Sequence, residues 1–145
     1  MFKKIAVGID GSLHSFKALV AACHIAKALN IDKIEVIHVI PKTPPYAEPS
    51  TYLAAPDAQY LEFLEEVGRN ALNHAEQIAR NHGVTIEKIL LEGNPVEELV
   101  KYAEQEKIDL LVLGRRGLGK EHKPGIGSVS LAVASNTQRS LLIVH

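Results

Sequence analysis

Ile108-Asp109-Leu110-Leu111-Val112-Leu113 is apolar at every position but one. A strand with one wet face alternates polar and apolar residues, so this run predicts a strand covered on both faces, central in a parallel sheet. Just upstream, Asn94-Pro95-Val96-Glu97 carries the cap residue, first-turn proline and acidic third position of a helix start. Val96, Leu99, Val100 and Ala103 follow at i, i+3, i+4 and i+7, which predicts an amphipathic helix. Downstream, Gly114 to Ile126 is glycine-rich and basic, Gly127-Ser128 opens a last helix, and Leu141 to Val144 is a short apolar strand.

Working outward, Phe2 to Ile9 is a β-branched apolar run that ends in the turn and cap residues Asp10-Gly11-Ser12. A helix follows from Ser12 to about Asn30, with Phe16, Leu19, Val20, Cys23 and Ala26 at helical spacing. Lys33 to Ile40 reads as a second strand, closed by Pro41. Pro41 to Pro56 holds five of the seven prolines and reads as a long loop of a functional or mobile kind. Asp57 then opens a longer helix with Leu61, Leu64, Ala71, Ala75 and Ile78 on one face, stopping at Asn81-His82-Gly83. Val84 to Leu91 partly alternates, as a strand at a sheet edge does. The order βαβαβαβαβ with short connections predicts a doubly wound α/β fold with helices on both faces of a parallel sheet. In such sheets ligands bind beyond the carboxyl ends of the strands, which points to the turns at Asp10 and Gly114.

At 145 residues the chain has the size of a single domain that packing alone can stabilise. The one cysteine, Cys23, excludes an internal disulfide and a cysteine-rich zinc site, and fits a reducing compartment. Sixteen basic against seventeen acidic residues argue against a nucleic-acid partner. No apolar stretch approaches the ~20 residues of a membrane span, and the opening run is too short for a signal-peptide core. A cytoplasmic protein with no membrane partner is expected.

Gly114 to Glu121 nearly matches a P-loop, but Glu121 stands where a hydroxyl should meet magnesium, and Pro124 and Gly125 lie where the helix should begin. Gly125 to Ser130 lacks the last glycine of the dinucleotide fingerprint. A wider spacing remains: Gly114 and Gly117 after the central strand, nine residues, then Gly127-Ser128 at a helix start. Glycines admit close backbone approach by a phosphate chain, and helix-start N–H groups with a serine hydroxyl bind its oxygens; a flexible glycine loop with an ordinary Ser128 cap is the alternative. Asp10, Ser12 and His14 contain the residue types of a catalytic triad, but helix capping explains Asp10 and Ser12. The seven histidines show no H-x-x-x-H spacing, so no metal site is expected.

Gly114-x-x-Gly117 followed after nine residues by Gly127-Ser128 resembles the ATP-binding pattern of the universal stress protein family. The likeness extends to Ile5–Ser12 with Ser15 and Ala18, to Glu35–Ile40, to Gly93-Asn94-Pro95 and to Asp109–Gly114, and so covers essentially the whole chain. It implies a five-stranded sheet of order 3-2-1-4-5 with ATP at the ends of strands 1 and 4, Mg²⁺ arriving on the nucleotide. By the resemblance, Asp10 and the Val39 backbone lie at the adenosine, while Gly114, Gly117, Gly127, Ser128, Val129 and Ser130 hold ribose and phosphates. It also implies a homodimer through the edge strand Leu141, Leu142, Ile143 and Val144. The chain departs from the family at residues 120–126, Lys-Glu-His-Lys-Pro-Gly-Ile, where a more apolar stretch is usual, and in lacking Cys-Pro before the last strand.

Arg115, Arg116, Lys120 and Lys123, with only Glu121 against them, give the loop a local charge of about +3. At least one cation, with Arg116 and Lys123 the candidates, is expected to reach the outer phosphates. The function expected is an ATP-binding regulatory protein of the stress response. A slow ATP hydrolase or phosphotransfer enzyme using the same pocket and a nucleotide-free dimeric adaptor are the alternatives; no catalytic residue is assigned, since no general base is placed beside the glycine loop.

Overall fold

The computed structural model describes residues 2–41, 58–118, 120 and 122–145. The proline-rich loop after Pro41, and Asp57 at which the second helix is expected to open, therefore lie outside the described residues. Five strands, β1 (Ile5–Gly8), β2 (Lys33–Pro41), β3 (Thr85–Gly93), β4 (Leu110–Gly114) and β5 (Ser140–Val144), form one sheet of order β3-β2-β1-β4-β5. Every pairing is parallel. Among the described residues four helices join them: α1 (Leu13–Ala28), α2 (Ala58–Asn81), α3 (Pro95–Gln105) and α4 (Ser128–Asn136).

The two-residue alternation of the strands divides the core into two layers. Ile5, Val7, Ile34, Val36, Leu110 and Val112 face α1 and α2, whose Leu19, Cys23, Leu72 and Ala75 are buried against them. Ala6, Ile37, Leu111 and Leu113 face α3 and α4, which contribute Leu99, Ala103 and Val133. All five residues of β4 are buried, as its unbroken apolar run predicts. The order reverses between β1 and β4, so the chain leaves those two neighbours toward opposite faces and a crevice opens beyond their carboxyl ends.

Several elements differ in detail from the sequence pattern. β1 starts at Ile5 rather than Phe2, because the Lys3 and Lys4 N–H groups donate to Asp109 Oδ2 (3.0 and 2.8 Å) instead of entering the ladder. These two bonds hold the Asp109 carboxyl below the usual carboxylate range. β2 includes Pro41, which stands opposite Gly93 at the last described pair. On α2 the buried stripe is Gly68, Leu72, Ala75 and Ala79, with Leu61, Leu64, Ala71 and Ile78 half-buried on the same face. α3 starts as its sequence predicts, with Asn94 Oδ1 accepting from Val96 N and Glu97 N at 3.0 and 3.1 Å.

Candidate functional site

β1 and β4 end side by side, and the turns that follow are bonded to each other. After β1, Asp10 Oδ1 accepts from Ser12 N at 2.9 Å and Oδ2 from Leu118 N at 3.2 Å, so one carboxylate ties the start of α1 to the glycine loop. Ser12 caps α1: its Oγ accepts from Ser15 N at 3.2 Å and lies 3.5 Å from Arg116 O. Beneath them His38 Nδ1 lies 3.0 Å from Ile9 O, with its ring against Gly68 of α2. Burial holds His38 below the ordinary histidine range, with the Ile9 carbonyl and Asp10 acting weakly the other way.

The glycines of the loop are in close quarters. A Cβ on Gly114 would stand 2.6 Å from the carbonyl carbon and oxygen of His14 in the first turn of α1. One on Gly117 would stand 2.7 Å from Asp10 Oδ2. Gly114 also accepts a 2.7 Å bond from the buried Ser130 Oγ, which fixes the first turn of α4 to the end of β4. Gly127 N donates to Arg115 O and closes residues 115–127 into a loop with a bonded base. The cap of α4 is thus Gly127, not Ser128, and it makes no side-chain cap bond. The first turn of a helix leaves N–H groups without intrahelical acceptors, and here no cap side chain takes them. Gly127 and Ser130 are buried, whereas Ser128 and Val129 are exposed.

The candidate residues fall into two groups. Asp10, Gly114, Gly117, Gly127 and Ser130 belong to one bonded assembly across the β1–β4 crevice, with Ser128 and Val129 at its rim. Val39 is buried on the neighbouring β2. The β1–β2 register ends at Gly8 opposite Ile37, and alternation along β2 turns the Val39 N–H and C=O to the β1 side, past that end. Arg116 is turned onto the loop itself: its Nε donates to Gly125 O at 3.1 Å and its Nη2 to Pro124 O. Lys123 is exposed and its carbonyl accepts from Arg115 Nη1 at 2.6 Å. The Asp10–Leu118 and arginine–carbonyl bonds have no signature in the sequence, because they depend on the path of a loop rather than on spacing.

The donors fit a phosphate-bearing ligand. A helix start whose cap, the buried Gly127, has no side chain to bond the first-turn N–H groups stands at the end of the loop, beside the carboxyl end of β4. Among the described residues no cluster of three or more His, Cys, Asp or Glu could hold a metal ion. Among the same residues no helix is long and apolar enough to cross a membrane.

The sequence profile of the universal stress protein family matches residues 1–145. A universal stress protein of Methanocaldococcus jannaschii is 35% identical over 99% of this chain and 82% of its own length. Among solved structures, a universal stress protein of Lactobacillus plantarum superposes with a TM-score of 0.83 at 20% identity, covering 99% of this chain and 98% of that one. Another, a universal stress protein in complex with cAMP, is 30% identical with a TM-score of 0.69, covering 99% of this chain and 97% of that one. By profile, sequence and fold alike, this chain belongs to the universal stress protein family.

Proposed function

We propose that this chain is a regulatory module that binds an adenine nucleotide across the carboxyl ends of β1 and β4. ATP, with Mg²⁺ carried on it, is the ligand read from the glycine–serine pattern. The observation that carries the reading is the bonded assembly at the crevice, where Asp10, the glycine loop and the glycine-capped start of α4 converge. Its placement at the switch point is where an open α/β sheet takes ligands, and the cAMP held by a 30% identical structural neighbour supports the adenine-nucleotide class. In this reading the α4 N-terminus and Gly127 face the phosphates, and the Val39 backbone and Asp10 stand on the nucleoside side. The module acts in the stress response of the cytoplasm as a homodimer, two copies pairing along β5. Val144 O accepts from Arg115 N on the β4 side, so alternation turns the Leu141 and Ile143 backbone outward along an edge without charge or proline.

Mass spectrometry of the small molecule released on denaturing the freshly purified protein tests the reading. Recovered ATP supports binding without turnover. ADP or AMP formed from added ATP would favour the hydrolase, and a protein that neither carries nor takes up any nucleotide would favour the adaptor.

A further inference from the structure

Two consecutive arginines leave β4 on the outgoing arm of the loop, and both guanidinium groups face the returning arm. Arg115 Nη1 donates to the carbonyls of Lys123 and Gly125 at 2.6 and 3.0 Å. Arg116 donates from Nε to Gly125 O at 3.1 Å and from Nη2 to Pro124 O. Three successive carbonyls just before the start of α4 are therefore collected by two side chains. The backbone cannot do this itself: Pro124 has no N–H, and Gly125 sits at φ +83°, outside the extended region a ladder needs. The arginine forks replace the missing ladder, and the Gly127 N to Arg115 O bond closes the base beneath them.

On this geometry we infer that Arg115 and Arg116 are positioning residues that set Gly127 and the first turn of α4, not ligands of the outer phosphates. The inference rests on the nucleotide reading of the site. It has a signature that a phosphate ligand would not give. A cation bound to the β- or γ-phosphate contributes more to ATP than to AMP, whereas a residue that holds the helix start contributes equally to every nucleotide that uses it. Lysine keeps the charge but lacks the planar fork, so it cannot bond two carbonyls in this way.

The test is titration calorimetry of AMP, ADP and ATP against wild type, Arg116→Ala and Arg116→Lys. Amide hydrogen exchange at Gly125, Ile126 and Gly127 is followed in parallel in the nucleotide-free proteins. Both variants should lose about tenfold in affinity, by the same factor for all three nucleotides, as expected for two lost hydrogen bonds. Exchange at the three amides should rise in both. A loss that grows from AMP to ATP, rescue of binding by lysine, or exchange unchanged from wild type would each overturn the inference. Should wild type bind none of the three, the nucleotide reading fails, while the exchange comparison still decides whether the arginines hold the loop.

Discussion

Replacing Gly114 by alanine adds one methyl group where there is no room for it. The new Cβ would stand 2.6 Å from both the carbonyl carbon and the carbonyl oxygen of His14 and 2.9 Å from its Cβ. Ordinary contacts of this kind lie nearer ~3.5 Å, so roughly 1 Å of overlap must be relieved. Neither side yields easily. Gly114 ends the buried β4 in register with Val144 of β5 and accepts from Ser130 Oγ, while His14 lies in the first turn of α1, locked by the Ser12 cap. Overpacking against fixed backbone costs about 3 kcal/mol, the upper part of the usual range. At this chain length that lowers Tm by about 6–12 °C. Thermal and urea unfolding followed by circular dichroism measure it, the urea midpoint falling with an unchanged slope. A variant melting within about 2 °C of wild type would refute the reasoning and return Gly114 to the sole role of admitting a phosphate chain.

Gly117→Ala should act on the site more than on the fold, since its Cβ would meet Asp10 Oδ2 at 2.7 Å and displace the bond to Leu118 N; calorimetry should show nucleotide affinity reduced about tenfold with a small change in Tm. Tyr102→Phe removes the hydroxyl that donates to Glu35, a buried carboxylate whose other partner, Lys4 Nζ, is 3.8 Å away; the urea midpoint should report a loss of about 1–3 kcal/mol, and an unchanged midpoint would contradict it. His38 is held below the ordinary range by burial, so the folded state binds fewer protons than the unfolded one, and its contribution to stability is lost as pH falls below about 6.5. His38→Gln should remove that part of the pH dependence, and parallel stability curves for variant and wild type from pH 8 to 5 would count against it. Ile143→Pro strikes an outward-facing N–H of β5 and should leave a folded monomer by light scattering, whereas a wild-type chain already monomeric at micromolar concentration would defeat the pairing of two copies along β5.

The fold was legible because the strong signals were local. The unbroken apolar run of β4 and the partial alternation of β3 name a central and an edge strand and Asn94-Pro95 names a helix start, while the order 3-2-1-4-5 came from the resemblance to the universal stress protein family. Less legible were positions set by tertiary partners. Nothing near Phe2 announces that Asp109, more than a hundred residues away, takes the Lys3 and Lys4 N–H groups and delays β1. On α2 periodicity named the shared face of Leu61, Leu64, Ala71, Ala75 and Ile78, but not the depth of each, which falls from the buried Ala75 to the half-buried Leu61 and Leu64. In the site, spacing alone brought out the glycines and Ser128. It was silent on the bonds that hold them, because a carboxylate or guanidinium reaching a loop carbonyl or amide leaves no periodic trace. The basic charge of the loop was plain, but the direction in which Arg116 points was not.

The central claim is that the β1–β4 crevice takes an adenine nucleotide, and titration calorimetry of nucleotide-stripped wild-type protein with AMP and ATP tests it most directly. The account predicts saturable binding of one nucleotide per chain by both, with guanosine monophosphate markedly weaker. A folded protein that gives no saturable heat with either adenine nucleotide at millimolar concentration, and no rise in Tm on adding them, would contradict it.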